Sequence, residues 1–187
     1  MRFKHITIMT LALLAASSLW AQVRETTYYD DGSYYTGQRD AKGRRHGDGI
    51  IVFANGDRYE GNWKKNNIFG HGVFRFPNGD MMEGEWTGMG TGEGYFKWSD
   101  GTRVDGHFVS GAATGQCIKV WPDGARYEGN FVQGHLSGRG KMKFADGSSY
   151  DGNWLNDQYE GEGTFITADG EVIKGRFHAG QLIEQNE

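Results

Sequence analysis

From about residue 25 onward the chain alternates short runs of apolar and polar side chains. Over Tyr59–Lys64, Tyr59, Gly61 and Trp63 take one face of an extended segment, and Glu60, Asn62 and Lys64 take the other. This two-residue period is that of a half-buried strand. A loop follows, and then Gly70, Gly72, Phe74 and Phe76 share one face of a second strand, with His71, Val73 and Arg75 opposite. The pair predicts a β-hairpin in which rings of one strand lie over glycines of its neighbour, because a glycine leaves its backbone open to a flat ring. Pro77-Asn78-Gly79 and Pro122-Asp123-Gly124 then put Pro where φ near −65° is wanted and Gly where φ is positive. That order predicts a type I turn closed by a left-handed glycine.

The same pattern returns at intervals of 22 to 24 residues, marked by Gly37, Gly61, Gly84, Gly106, Gly129, Gly152 and Gly175. A Gly-x-Gly mark follows in each unit except the fourth, where it is broken to Gly115/Cys117. An Asn/Asp-Gly mark closes each unit, from Asn55-Gly56 to Asp169-Gly170. Three marks in fixed phase define a repeat protein. The ring-bearing face is refilled by Tyr35, Tyr59, Tyr127 and Tyr150, and by Trp63, Trp86, Phe108, Phe131, Trp154 and Phe177. In the third and fourth units Met82 and Val104 replace the tyrosine, and Lys119 breaks the apolar pattern of the second strand. One repeat cannot bury this face alone, so each relies on its neighbours. The expected fold is all-β: an elongated, open antiparallel sheet of about fourteen strands. It comprises a half repeat over 25–34, repeats starting near 35, 59, 82, 104, 127 and 150, and a terminal strand over 173–178. At roughly 4.8 Å per strand the sheet would run ~65 Å.

The first residues read differently. Arg2, Lys4 and His5 precede an apolar run from Ile6 to Ala16 and a small-residue stretch ending at Ala21. This matches a secretory signal peptide over 1–21, with residues 22–187 as the mature domain. Cleavage is expected after Ala21, with Ser17 or Ser18 as alternative sites because Leu19 is not the ideal small residue. The run is too short for a membrane span, which needs about twenty residues. The expected location is therefore secreted or periplasmic. The full chain carries net charge −4; removing Arg2 and Lys4 with the leader leaves 18 basic against 24 acidic side chains, net −6. A general basic footprint for nucleic acid is absent. With 31 glycines, 2 prolines and 14% aromatic residues, the chain is neither collagen-like nor composed like a disordered one. A single cysteine, Cys117, cannot form an internal disulfide.

The motif Tyr-Glu-Gly-x-Trp, then Gly-x-Gly, then Asn/Asp-Gly, with joins such as Asp57-Arg58-Tyr59-Glu60-Gly61, resembles the MORN (membrane occupation and recognition nexus) repeat over residues 25–180. The resemblance implies consecutive β-hairpins without a cofactor. It also implies roles in membrane apposition, lipid contact, oligomerisation or partner scaffolding; the family occurs in junctophilins, in plant phosphatidylinositol phosphate kinases and beside a histone methyltransferase domain. Basic connecting loops are where such repeats would meet anionic head groups, which here points to Lys42, Arg44, Arg45, Lys64 and Lys65.

Candidate chemistry is sparse. Glu60, Glu83, Asp105, Glu128 and Asp151 precede the marker glycines on the face opposite the rings, roughly 9.6 Å apart between repeats. Such a row could serve acid–base chemistry on a glycan. Arg58, Arg103 and Arg126, two residues upstream on the same face, instead predict a solvated, charge-balanced surface. His46, His71, His107, His135 and His178 share no repeat phase, so converging metal ligands are not expected. Cys117 lacks an evident activating partner. Gly-x-Gly lacks the Lys-Ser/Thr and the helix of a phosphate loop. Val109, Ile118, Val120 and Val132, with Leu155 and Ile166 further on, put apolar side chains on the outer face of the middle repeats, a candidate contact for a protein partner or a second copy. The expectation is a non-enzymatic binding or scaffolding protein, with peripheral lipid association as the alternative and a glycan-acting enzyme as a remote one.

Overall fold

The computed structural model describes residues 24–186; the leader segment 1–21 lies outside them. The chain forms β1 (Glu25–Tyr28), β2 (Tyr34–Arg39), β3 (Arg45–Val52), β4 (Arg58–Lys64), β5 (Asn67–Arg75), β6 (Met81–Gly88), β7 (Thr91–Lys97) and β8 (Arg103–Val109). It continues with β9 (Ala112–Val120), β10 (Arg126–Val132), β11 (His135–Lys143), β12 (Ser149–Leu155), β13 (Gln158–Ile166), β14 (Val172–His178) and β15 (Gln181–Gln185). All fifteen lie in one antiparallel sheet whose spatial order is the sequence order. The strand beyond the expected fourteen is β15. It turns back on β14 through Ala179-Gly180, so residues 172–185 form a hairpin rather than a lone strand.

The register explains the repeat. Tyr59 pairs with Phe74 and Gly61 with Gly72 across β4 and β5, and Tyr127 pairs with Met142 and Gly129 with Gly140 across β10 and β11. A Cβ added at Gly72 would stand 2.5 Å from the Tyr59 ring. Gly49, Gly140 and Gly163 carry Tyr35, Tyr127 and Tyr150 in the same way. Each tyrosine hydroxyl then donates to a carbonyl three residues on, as Tyr59 does to Asn62 (3.0 Å). Trp63 wedges edge-on between Tyr35 and Tyr59 (centroids 5.4 Å from each), and Trp154 does so between Tyr127 and Tyr150 (5.3 Å). The indole N–H of Trp63, Trp86 and Trp154 donates to the carbonyl of Gly49, Gly72 and Gly140. These rings are buried, each worth roughly 1.5–3 kcal/mol, and every one is shared between adjacent repeats.

The two ends of the strands turn by different devices. At one end the Phe53 N–H donates to the Asp57 carbonyl (2.8 Å) and the Gly56 N–H to the Phe53 carbonyl (2.9 Å), with φ +89° at Gly56. This is the turn expected from Asn/Asp-Gly. At the other end the expected loop between Trp63 and Gly70 is absent. The chain reverses in two residues, Lys65 and Asn66, both at positive φ (52° and 75°), so that Trp63 pairs with Ile68. Paired positive φ values define the tight hairpin turn whose twist matches that of the strands. The second turn residue donates its N–H back to the preceding hairpin: Asn66 to Arg45 (2.9 Å), Gly134 to Ala113 (2.9 Å), Asp157 to Leu136 (3.0 Å). These bonds stitch the tips into a continuous edge.

Candidate functional site

The ring-bearing face is not closed over. Tyr35, Tyr59, Tyr127 and Tyr150 seal its floor, but the residues that open the Asn/Asp-Gly turns project beyond that floor. Phe53, Phe76, Trp98, Trp121 and Phe144 are only partly buried, together with Phe96, Tyr159 and Phe165. One cavity, of about 640 Å³, is lined by Phe53, Phe74, Phe76 and Met82. It is bounded by turn residues Asn55 and Asp57 on one side and by Met89, Gly90, Ser110 and Gly111 of the tips on the other. A second, of about 320 Å³, is lined by Lys119, Trp121, Met142, Phe144, Trp154 and Tyr159. The sheet is thus curled into a trough, with Phe96 and Trp98 between the two hollows (ring centroids 4.5 Å apart).

Lys119 is the anomaly of this face. Its slot, opposite the first-strand tyrosine position, holds Ile51, Phe74, Phe96, Met142 and Phe165 in the other repeats. The ammonium lies 4.8 Å from the centroid of Trp121 and 5.4 Å from that of Trp98, within range of both π-faces. Burial pushes its pKa down, with Asp157 and Asp100 opposing the shift at longer range. Among the described residues no carboxylate makes an ion pair with it; Asp157 is taken by His135 (2.7 Å) and by the Leu136 N–H (2.9 Å).

The outer face carries the other groups singled out in the sequence. Arg58 pairs with Glu60 (2.8 Å), Arg103 with Asp105 and Arg126 with Glu128 (2.8 Å), while Asp151 takes Arg139 (2.9 Å) and Lys141 (3.1 Å). Glu83 accepts from the Tyr95 hydroxyl (2.6 Å). The carboxylate row is therefore the charge-balanced surface its arginines predict. His71, His107 and His178 each face a carboxylate on a neighbouring strand and His135 faces Asp157 of the next tip turn, and among the described residues no group of three or more metal-ligating side chains converges. Cys117 is buried and burial raises its thiol pKa, the setting of an inert thiol.

The basic residues gather at one corner. The Arg45 N–H donates to the Asn66 side chain (2.8 Å), which brings Arg45 beside Lys64 and Lys65. Arg44 is held by Asp40 (2.7 Å), Arg45 stacks over Trp63 (4.4 Å) and Lys64 over Phe69 (4.4 Å), leaving Lys42 and Lys65 as the freest charges. The apolar outer residues form two groups. Val109 and Val132 sit at the tips, beside Ala112 and His135, continuing to Leu155. Ile118 and Val120 lie further along the strands, Ile118 flanked by Asp105 and Glu128 and Val120 by Arg103 and Arg126. Val109, Val132 and Leu155 are about half exposed.

Sequence reasoning assigned the ring-bearing face wholly to the core and missed the trough. The one sign of it was Lys119, a charge in an otherwise apolar slot.

Comparison with known proteins accords with this architecture. The family model for the MORN repeat matches residues 41–58, 59–81, 105–126, 127–149 and 150–172; the gap between matches, 82–104, begins at Met82, where the first-strand tyrosine is missing. No curated protein matches the sequence. Among solved structures, the SAS-4 (dCPAP) TCP domain of Drosophila melanogaster, in complex with a proline-rich motif of Ana2 (dSTIL), is 11% identical over 90% of this chain and 99% of that one, with TM-score 0.45. The TCP10 domain of Danio rerio CPAP with a STIL peptide is 14% identical over 86% and 98%, with TM-score 0.24. A catalytically inactive virginiamycin B lyase from Staphylococcus aureus with quinupristin is 10% identical over 85% and 72%, with TM-score 0.24.

Proposed function

The chain belongs to the MORN repeat family, and from that premise we propose that it is a non-enzymatic protein-binding scaffold that engages its partner through the aromatic trough, outside the cytoplasm. The observation that carries the reading is the incomplete burial of Phe53, Phe76, Trp98, Trp121 and Phe144 along a face that otherwise forms the core. Concave, mostly apolar surfaces with a few polar groups are where proteins bind ligands, and partly exposed aromatic rings dominate the energetics of protein contacts. Among the described residues, Glu60, Asp105, Glu128 and Asp151 are engaged by basic side chains and Glu83 by the Tyr95 hydroxyl, which supports a non-enzymatic reading over a glycan-acting one. The basic start and apolar run of residues 1–21 support export.

The test is affinity capture from the extracellular or periplasmic fraction on immobilised protein, comparing wild type with Phe76→Ser and Trp121→Ser. The expected result is a small set of proteins retained by the wild type and lost from both variants, whose thermal unfolding stays cooperative. Retention indifferent to both substitutions overturns the assignment to the trough.

A further inference from the structure

Resting on that reading, we propose that the occupant of the trough is an extended acidic peptide segment of the partner, laid across the strands, with one carboxylate seated on Lys119 and an apolar side chain over each neighbouring aromatic residue.

Two independent observations carry this. The first is pitch. Phe53, Phe76, Trp98, Trp121 and Phe144 begin successive turns on one rim, and each lies two strands from the next, roughly 9.6 Å. A peptide in the polyproline II conformation advances three residues in about 9.3 Å. A chain lying across the strands in that conformation offers one side chain per repeat, at every third residue, without strain. The lining favours side chains over sugars: it is built of rings and of Met82, Met89 and Met142, soft groups that adapt to apolar shapes. The hydrogen-bonding side chains, Asn55, Asp57 and Ser110 in one hollow and Lys119, Asp157 and Gln158 in the other, are few beside the rings and methionines. That balance suits apolar side chains with one charged group better than the many hydroxyls of a glycan.

The second is charge. The Lys119 ammonium is half-buried between Trp98 and Trp121 and carries no ion pair among the described residues. A partly desolvated cation without a direct ion pair is costly. Asp157 lines the same hollow but is engaged by His135 and the Leu136 N–H, so an incoming carboxylate relieves that cost through a charge-assisted hydrogen bond. The outer face balances its arginines with carboxylates, whereas this cation is left for a ligand to neutralise.

The test is selection of a phage-displayed random 12-residue peptide library on the immobilised protein, in parallel with Lys119→Met. That variant places in the slot the residue that Met142 supplies one repeat on, so folding is preserved. The expected outcome is enrichment of sequences with an Asp or Glu flanked at three-residue spacing by Pro or aliphatic residues. A synthetic peptide of that sequence should bind Lys119→Met roughly tenfold more weakly, the weight of one charge-assisted contact. Replacing its acid by the amide should weaken binding to the wild type equally and leave binding to Lys119→Met unchanged. Enriched peptides without an acid, held equally by Lys119→Met, overturn the proposal but leave the protein-binding reading intact. Absence of any enriched peptide overturns the proposal, and retardation by polygalacturonate in affinity electrophoresis in place of peptide binding overturns both in favour of a glycan ligand.

Discussion

The fourth repeat contains a natural paired substitution that predicts a measurable coupling. In the regular repeat Tyr59 covers Gly72; in the fourth, Cys117 occupies the place of that glycine and Val104 the place of that tyrosine. Both changes follow from one steric fact, since a Cβ at Gly72 would stand 2.5 Å from the ring of Tyr59. Installing Gly72→Cys alone forces the buried ring off its seat, an overpacking cost of about 1–3 kcal/mol. It also breaks the Tyr59 hydroxyl bond to Asn62, about 1 kcal/mol more. Tyr59→Val alone loses most of a fully buried ring, about 2–4 kcal/mol by analogy with aromatic truncations in cores. The double variant Tyr59→Val/Gly72→Cys recreates the pair found at Val104 and Cys117, and the thiol fills part of the space the ring leaves. It should therefore lose only about 3–4 kcal/mol where simple addition predicts roughly 6, a coupling of about 2–3 kcal/mol. Urea denaturation followed by both tryptophan fluorescence and far-UV circular dichroism measures the cycle. Additivity within about 0.5 kcal/mol would refute the reasoning, because the Tyr–Gly contact would then not be what holds the register.

Three further outcomes are expected. Hydrogen bonds from Ser33, Ser148 and Thr167 hold the carboxyls of Asp31, Asp146 and Asp169 below the usual range, and the Arg44 guanidinium holds Asp40 at about 2. Because folding depresses these pKa values, their stabilisation is present above the unfolded value of about 3.9 and is lost as pH falls through the folded values. The urea midpoint should drop between about pH 4 and pH 2 and drop less in Asp40→Asn; a flat midpoint there refutes the assignment. Co-sedimentation with anionic and neutral liposomes should show no salt-sensitive binding at physiological ionic strength, since Arg44, Arg45 and Lys64 are engaged within the sheet; pelleting lost on neutralising Arg44 and Arg45 would establish a membrane-surface role instead. N-terminal sequencing of the mature protein should begin at Gln22, and an intact Met1 on the exported form would refute cleavage after Ala21.

The backbone plan was legible because its determinants are local. Alternation assigned faces, Asn/Asp-Gly assigned one set of turns, and the glycine marks assigned the repeat in which rings of one strand lie over glycines of the next. Of the opposite turns, Lys65-Asn66 and Asn156-Asp157 were not legible, because they hold positive φ without glycine, a conformation their side chains allow but do not announce, whereas Ser110-Gly111, Gln133-Gly134 and Ala179-Gly180 carry a glycine at the second position. β15 went unread because Gln181–Gln185 carries none of the three marks and is exposed throughout. The trough was hidden for a different reason. Periodicity tells which face a ring occupies, whereas the depth of its burial depends on how far the sheet curls, and curl is a sum of small twists over many strands. Only Lys119, too polar for a closed core, showed in the sequence that the face stays open.

The strictly sequential strand order has a mechanical consequence. The first and last strands, β1 and β15, lie at opposite ends of the sheet, so tension applied through them peels the outermost strand first and breaks its hydrogen bonds one after another instead of shearing a whole row at once. Each repeat that yields pays out roughly 80 Å of extended chain before the next is loaded. Under a pulling load the molecule behaves as a graded, extensible tether, giving way repeat by repeat from its ends while the aromatic stack in the middle still holds.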